Sequence, residues 1–287
     1  MSMPTVFRSA MAVLAGGVAI VAVAAVPVAE AATAPQWAPA ATATIHPGTQ
    51  MFTDGAQCTA NFVYSDGVST YLGYAAHCAG TGAATDTNGC TTQSLPLGTP
   101  VTFNTGASLI SEGTQVGTGT LAYSSWLAMQ AAHETNANTC AYNDLALVKV
   151  DAAYVANVNP SVPFWGGPVA LATQGTTVGQ SIYSYGNSLL RGGIELLSPK
   201  RGVSLGDTGS GWSHTVYTVT PGIPGDSGSG FMDASGRALG VLSTVAIAPL
   251  AGSNGVGDLA KELAYANAHG MSGVALVPGT EAFAPII

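Results

Sequence analysis

Charge is what this chain of 287 residues lacks most. Only 8% of its positions are Asp, Glu, Lys or Arg, and only seven are basic. Seven Lys and Arg in a chain of net charge −8 cannot build the clustered basic surface that displaces counterions from a phosphate backbone. Nucleic-acid binding is excluded on that ground, and docking on anionic lipid with it. Cysteine is also sparse. Cys58, Cys78, Cys90 and Cys140 are the whole set, and no two have C-x-x-C spacing, which argues against a zinc cluster. An even count in an exported chain suggests two disulfides, with three pairings open. Fixed-period repeats are absent.

Apolar residues are plentiful, with a mean hydropathy of +0.33. Part of that sits at the N-terminus. Arg8 precedes the run "AMAVLAGGVAIVAVAAVPVA", which ends in "VAEAATA" with Ala29 and Ala31 at the two small positions of a cleavage site. Residues 1–31 therefore read as a signal peptide. Residues 32–44, rich in Ala, Pro and Thr, read as a leader or propeptide. The competing reading of the run is a transmembrane anchor, because it approaches spanning length. Pro27 and the alanine-rich end favour cleavage, and nothing later resembles a second span. The chain is expected to be secreted.

From Ile45 onward, short runs rich in Val, Thr, Tyr and Phe alternate with Gly, Asn, Asp and Ser. "CTANFVYSDGVSTYLGYAAH" reads as two strands around an Asp66-Gly67 turn. "TPVTFN", "TQVGTGTLAYS" and "DLALVKV" continue the series. After the Pro/Gly connector "NVNPSVPFWGGP" come "VALAT", "QSIYSYG", "HTVYTVT" and "RALGVLSTVAIA". Many short strands at this spacing predict an all-β sandwich or barrels. One stretch departs from it. "VGDLAKELAYANAHG" puts Leu259, Leu263 and Ala266 on one side, with Asp258 near its start and Gly270 past its end, and predicts a short helix. "SSWLAMQAAHET" is a weaker helical candidate.

The glycine-rich stretch "PGIPGDSGSGFMD" raises the question of chemistry. A serine hydroxyl is a weak nucleophile near neutral pH unless a base takes its proton and a third group orients that base. The developing oxyanion then needs fixed N–H donors. Of five histidines, His77 stands out. It follows the apolar run "YLGYAA" and is adjacent to Cys78, so a disulfide would pin it. Asp144 opens the apolar run "LALVKV", where a carboxylate needs a partner. "YAAHC", "NDLALVKV" and "GDSGSG" occur in that order. Together they resemble the signatures A-A-H-C, D-[IL]-A-L and G-D-S-G of the chymotrypsin-like serine proteases, and within them the secreted trypsin-like proteases of actinobacteria. The likeness extends from about Ile45 to the C-terminal helix.

The resemblance implies two six-stranded antiparallel β-barrels, over residues 45–160 and 161–287, the second carrying the C-terminal helix. It implies a triad in which Ser227 attacks the carbonyl, His77 moves the proton and Asp144 holds the imidazole. Gly225 and Ser227 would supply the oxyanion N–H groups. Asp226 would make an internal ion pair. No Ile-Val-Gly-Gly start follows a basic residue, so a partner inside the chain is implied; of Arg191 and Arg201, Arg191 is favoured. The family pattern also implies Cys58–Cys78, which leaves Cys90–Cys140.

Two departures bear on specificity. The family's G-D-S-G-G ends here in Ser229. Pro221 stands where trypsin-like members carry a pocket aspartate, so preference for Arg or Lys before the cleaved bond (P1) is not implied. Ser243 matches the residue that binds the substrate backbone, and Val245 takes the place of a glycine that leaves the pocket open. A small or apolar P1 residue is expected. The combined reading is a secreted, monomeric serine endopeptidase acting on protein or peptide through an acyl-enzyme, with no cofactor and no metal, and free of the membrane once the signal is removed. Two alternatives compete: a catalytically silent binding protein on the same fold, and an esterase using Ser227, Asp258 and His269. Asp54, Asp66 and Asp86 near turns are read as turn-formers before calcium ligands.

Overall fold

The computed structural model describes Met1, Ser2 and residues 36–83, 85–246 and 250–285. The signal-peptide reading lies outside the described residues, Met1 and Ser2 apart. Residues 36–44, read as leader, are bonded to the body of the protein: the Ala38 N–H donates to the Val158 carbonyl at 2.9 Å.

Seven strands build the first half: β1 Gln50–Thr53, β2 Ala56–Thr59, β3 Val63–Ser65, β4 Thr70–Ala75, β5 Pro100–Thr105, β6 Thr114–Ser124 and β7 Leu145–Val150. Helices α1 Ser125–Ala131 and α2 Ala137–Tyr142 lie between β6 and β7. All pairings are antiparallel, in the order β3-β4-β7-β6-β5-β1-β2. The two outer members, β2 and β3, are joined by only Ala60, Asn61 and Phe62. There the Asn61 N–H donates to Gly73 O at 2.8 Å and the Gly73 N–H to Phe62 O at 3.0 Å. Counting β2 and β3 as one bent strand, the sheet curls into six strands. The β3–β4 turn is the predicted one: Gly67 has φ +86°, and Asp66 Oδ1 accepts the N–H groups of Val68 and Ser69.

The second half is a closed barrel in the order β10-β13-β12-β11-β8-β9. Its strands are β8 Ser181–Tyr185, β9 Pro199–Thr208, β10 Ser213–Thr218, β11 Gly230–Met232, β12 Ala238–Val245 and β13 Asn254–Asp258. Ala172, Ile182, Val216, Phe231, Leu239, Leu242 and Val256 fill its interior. Each large apolar side chain taken fully out of water contributes about 1.5–3 kcal/mol. The all-β architecture expected of a chymotrypsin-like chain is thus present, the first half as a curled half-barrel and the second as a closed six-stranded barrel. "VALAT" is not a strand; only Leu171 makes an isolated bridge, to Ala238.

Helix α3, Leu259–Ala268, starts where Asp258 caps it by accepting the Lys261 N–H at 2.9 Å. Gly270, with φ +113°, follows its end. Its buried face carries Leu259, Leu263 and Ala266, but also Glu262. The apolar residues of that face belong to the same buried cluster as Tyr64, Tyr74 and Leu145 of the first half. β14, Ala275–Leu276, then pairs with β3. The C-terminal segment, expected with the second barrel, so adds an edge strand to the first sheet.

Candidate active site

His77 sits in a single helical turn, Ala76–Ala79, directly after β4. Asp144 immediately precedes β7, which pairs with β4, so the register of that pair brings the two residues together. His77 Nδ1 lies 2.6 Å from Asp144 Oδ2, and the His77 backbone N–H donates to Oδ1 at 2.8 Å. The Ala76 N–H donates to the Asp144 carbonyl at 2.7 Å. One carboxylate therefore fixes both the ring and the main chain of the histidine. With Nδ1 as donor, Nε2 is left able to accept a proton. Burial works against the imidazolium, but the charge and hydrogen bond of Asp144 outweigh it, and the His77 pKa lies above 6.5.

Ser227 lines the same cleft of about 650 Å³ as His77 and Asp144. Its hydroxyl makes no hydrogen bond to His77 among the described residues; such contacts often tighten only when substrate is bound. The loop before it is tied to the first barrel. Thr59 donates its N–H to Ser227 O and its hydroxyl to Gly225 O, both at 2.8 Å. Gln57 Nε2 donates to the same Gly225 carbonyl at 3.1 Å. Gly225 has φ +91°, and a Cβ there would strike Gln57 Oε1 and lie 2.8 Å from Ser188 Oγ, so only glycine fits. The Ser188 hydroxyl donates to Pro224 O at 2.5 Å. Because a trans peptide points its C=O and N–H in opposite directions, the Gly225 N–H is turned away from Ser188. Neither it nor the Ser227 N–H has a partner among the described residues.

Asp226 is fully buried beneath this loop. Its Oδ2 accepts Arg191 Nη2 at 2.6 Å and the Ile223 N–H at 3.1 Å, and its Oδ1 accepts the Ser188 N–H at 3.0 Å. Arg191 also holds the Pro221 carbonyl at 3.1 Å. The expected ion pair is present. A second cation was not foreseen: Lys200, fully buried, brings Nζ to 3.0 Å from Asp226 Oδ2, within ion-pair range but without hydrogen-bond alignment. Burial lowers the Lys200 pKa, the Asp226 charge opposes that shift, and the Arg191 charge adds to it.

The disulfides are Cys58–Cys78 and Cys90–Cys140. The first anchors His77's neighbour to β2. Cys58, His77 and Cys78 form the one His/Cys/Asp/Glu cluster tight enough for a metal among the described residues, but both sulfurs are spent in that bridge.

Of the substrate-binding candidates, Ser243 and Val245 line the cleft and Pro221 does not. Ser243's hydroxyl donates to Asp144 Oδ2 at 2.6 Å, so its side chain helps to hold that carboxylate. Its main chain falls at the β12–β13 register shift. Val245 is half exposed at the rim. Ser229 is buried, with its hydroxyl unpartnered. The esterase grouping is not assembled. Asp258 caps the start of α3 and accepts from the buried His214, while His269 stacks on Tyr265 at the far end of that helix.

No family model and no curated protein matches this chain. Among solved structures it is similar to Thermobifida fusca protease A, with 17% identity and a TM-score of 0.48 over 82% of this chain and 99% of that one. It is similar to Cellulomonas bogoriensis chymotrypsin at 19% identity and a TM-score of 0.43, covering 81% of this chain and 98% of that one. Nocardiopsis protease matches at 16% identity and a TM-score of 0.43 over the same shares. At these identities and TM-scores the likenesses add no weight to the reading of the site.

Proposed function

We propose that the protein is a secreted serine endopeptidase. Ser227 is the nucleophile, His77 the base and then the acid, and Asp144 the group that sets the tautomer and stabilises the imidazolium. The N–H groups of Gly225 and Ser227 receive the oxyanion. The tetrahedral adduct expels the amine, which takes the proton from His77. Water repeats the sequence on the acyl-enzyme.

The observation that carries the reading is the pair of unspent N–H groups in the loop of Ser227, in one cleft with the His77–Asp144–Ser243 chain. The His77 ring and the backbone of the Ser227 loop are held before substrate arrives, and such preorganisation is where most of the stabilisation of a developing charge comes from. One chain carries every group used, so no second copy is required. Secretion belongs to the same proposal: two disulfides call for an oxidising compartment.

The test is digestion of an unfolded protein mixture, with new N-termini read by mass spectrometry. Cleavage within chains by the wild type, lost in Ser227→Ala, is expected. Equal background for both folded proteins overturns the proposal in favour of a silent binding protein.

A further inference from the structure

Beyond the chemistry lies the question of what the site accepts. A substrate carbonyl held by the Gly225 and Ser227 N–H groups directs the side chain of its own residue along one end of the cleft. Gly222, Ile223, Pro224, Leu242, Thr244, Val245 and Asn254 line the cleft together with Ser227. None of these residues is charged.

Asn254 opens β13 opposite Val245 and is almost fully buried. Its Oδ1 accepts the Gly222 N–H at 2.9 Å, and its Nδ2 donates to the Gly222 carbonyl at 3.3 Å and to the Thr244 carbonyl at 3.2 Å. A single amide thus ties the loop before Ser227 to β12, the two walls between which a P1 side chain would enter. The space beside it is filled as well. A Cβ on Gly222 would come within 2.7 Å of Leu242 and 3.0 Å of Asn254 Nδ2. Both amide hydrogens of Asn254 are committed, so the floor presents no free donor to a carboxylate. Asp226, the carboxylate next to Ser227 in the chain, is buried and taken up by Arg191, two backbone N–H groups and the nearby Lys200. A long or charged side chain would have to break the bridge and lose its water without replacement.

We propose that Asn254 is the floor of the primary specificity pocket and restricts cleavage to small, uncharged P1 residues such as Ala, Ser, Thr and Val. The proposal rests on the endopeptidase reading above. It moves the determinant from Pro221, which does not line the cleft, to Asn254, which does.

The test uses a set of four-residue amide substrates that differ only at P1: Ala, Val, Leu, Phe, Lys and Glu. For the wild type, kcat/KM for Ala or Val exceeds that for Phe, Lys and Glu by roughly 100-fold. Asn254→Gly removes the bridge and raises Leu and Phe relative to Ala by about 10-fold or more. Asn254→Ser shortens the side chain while keeping a polar group, and gives a smaller shift in the same direction should the glycine variant fold poorly. A wild type that prefers Phe, Lys or Glu overturns the pocket proposal alone and leaves the protease reading standing. So does an unchanged order of preference in both folded variants. No turnover of any substrate overturns the endopeptidase reading, and the pocket proposal with it.

Discussion

The backbone N–H of Asp144 donates to Glu262 Oε1 at 2.8 Å, so the C-terminal helix reaches the acid of the proposed triad from behind. Glu262 is fully buried and its second oxygen has no partner. Burial raises its pKa well above 4.5, and the nearby charges of Asp144 and Asp258 push the same way. A neutral carboxyl fits this place: it offers an acceptor to Asp144 without adding a third negative charge.

Replacing Glu262 separates those two contributions. Glu262→Gln keeps the acceptor, and activity is retained. Glu262→Leu strands a buried N–H at a cost of about 1–3 kcal/mol. Misplacing Asp144 in this way lowers kcat/KM by up to about 100-fold. The stability sign follows from the raised pKa. The contribution of the neutral carboxyl is full below 4.5, where the unfolded group is also protonated, and is lost as pH rises through the folded value. Calorimetry of wild type and Glu262→Gln should show the variant's Tm advantage growing as pH rises above 4.5 toward the folded value. A constant gap contradicts a neutral Glu262.

Proton transfer at His77 has its own signature. Because Asp144 raises the His77 pKa above 6.5, kcat/KM climbs with pH through a midpoint above that value as the base is freed. Asp144→Asn removes the charge and the tautomer preference together, and a loss of about 10⁴ in kcat follows. A rate that is flat between pH 5 and 9 removes His77 from the role of base.

The buried cluster of Asp226, Arg191 and Lys200 predicts an asymmetry. Asp226→Asn leaves two buried cations without their anion and costs about 3–5 kcal/mol. Lys200→Met conserves shape, leaves Arg191 on Asp226 and costs under about 1.5 kcal/mol. Since the Lys200 pKa is lowered, the wild type gains on Lys200→Met as pH rises from the folded value toward 10.5, where the unfolded group loses its proton. Denaturant titration at two pH values reads both effects. Equal losses in the two variants contradict Asp226 as the hub.

His77, Asp144 and Ser227 were legible in the sequence because each sits in a short run whose neighbours share its task. Arg191 was legible because few cations precede Ser227 within the second barrel. The supporting groups act across the chain and leave no local trace. Thr59 reaches Gly225 over 166 residues, Glu262 reaches Asp144 over 118, and Asn254 reaches Gly222 over 32. Lys200 was hidden for a further reason. β9 carries Gly202, Gly206 and three charged residues, and reads as loop until pairing with β8 and β10 makes it a strand. α2 escaped notice because "ANTCAY" is short, and its start is set by Asn136 accepting two N–H groups.

Covalent labelling tests the central claim most directly. A fluorophosphonate reacts with a serine only where a base activates it and N–H donors hold the developing charge. The account predicts one adduct, mapped by mass spectrometry to Ser227, absent in Ser227→Ala and strongly reduced in His77→Ala. A folded wild-type protein that takes up no label, or takes it at another residue, contradicts it.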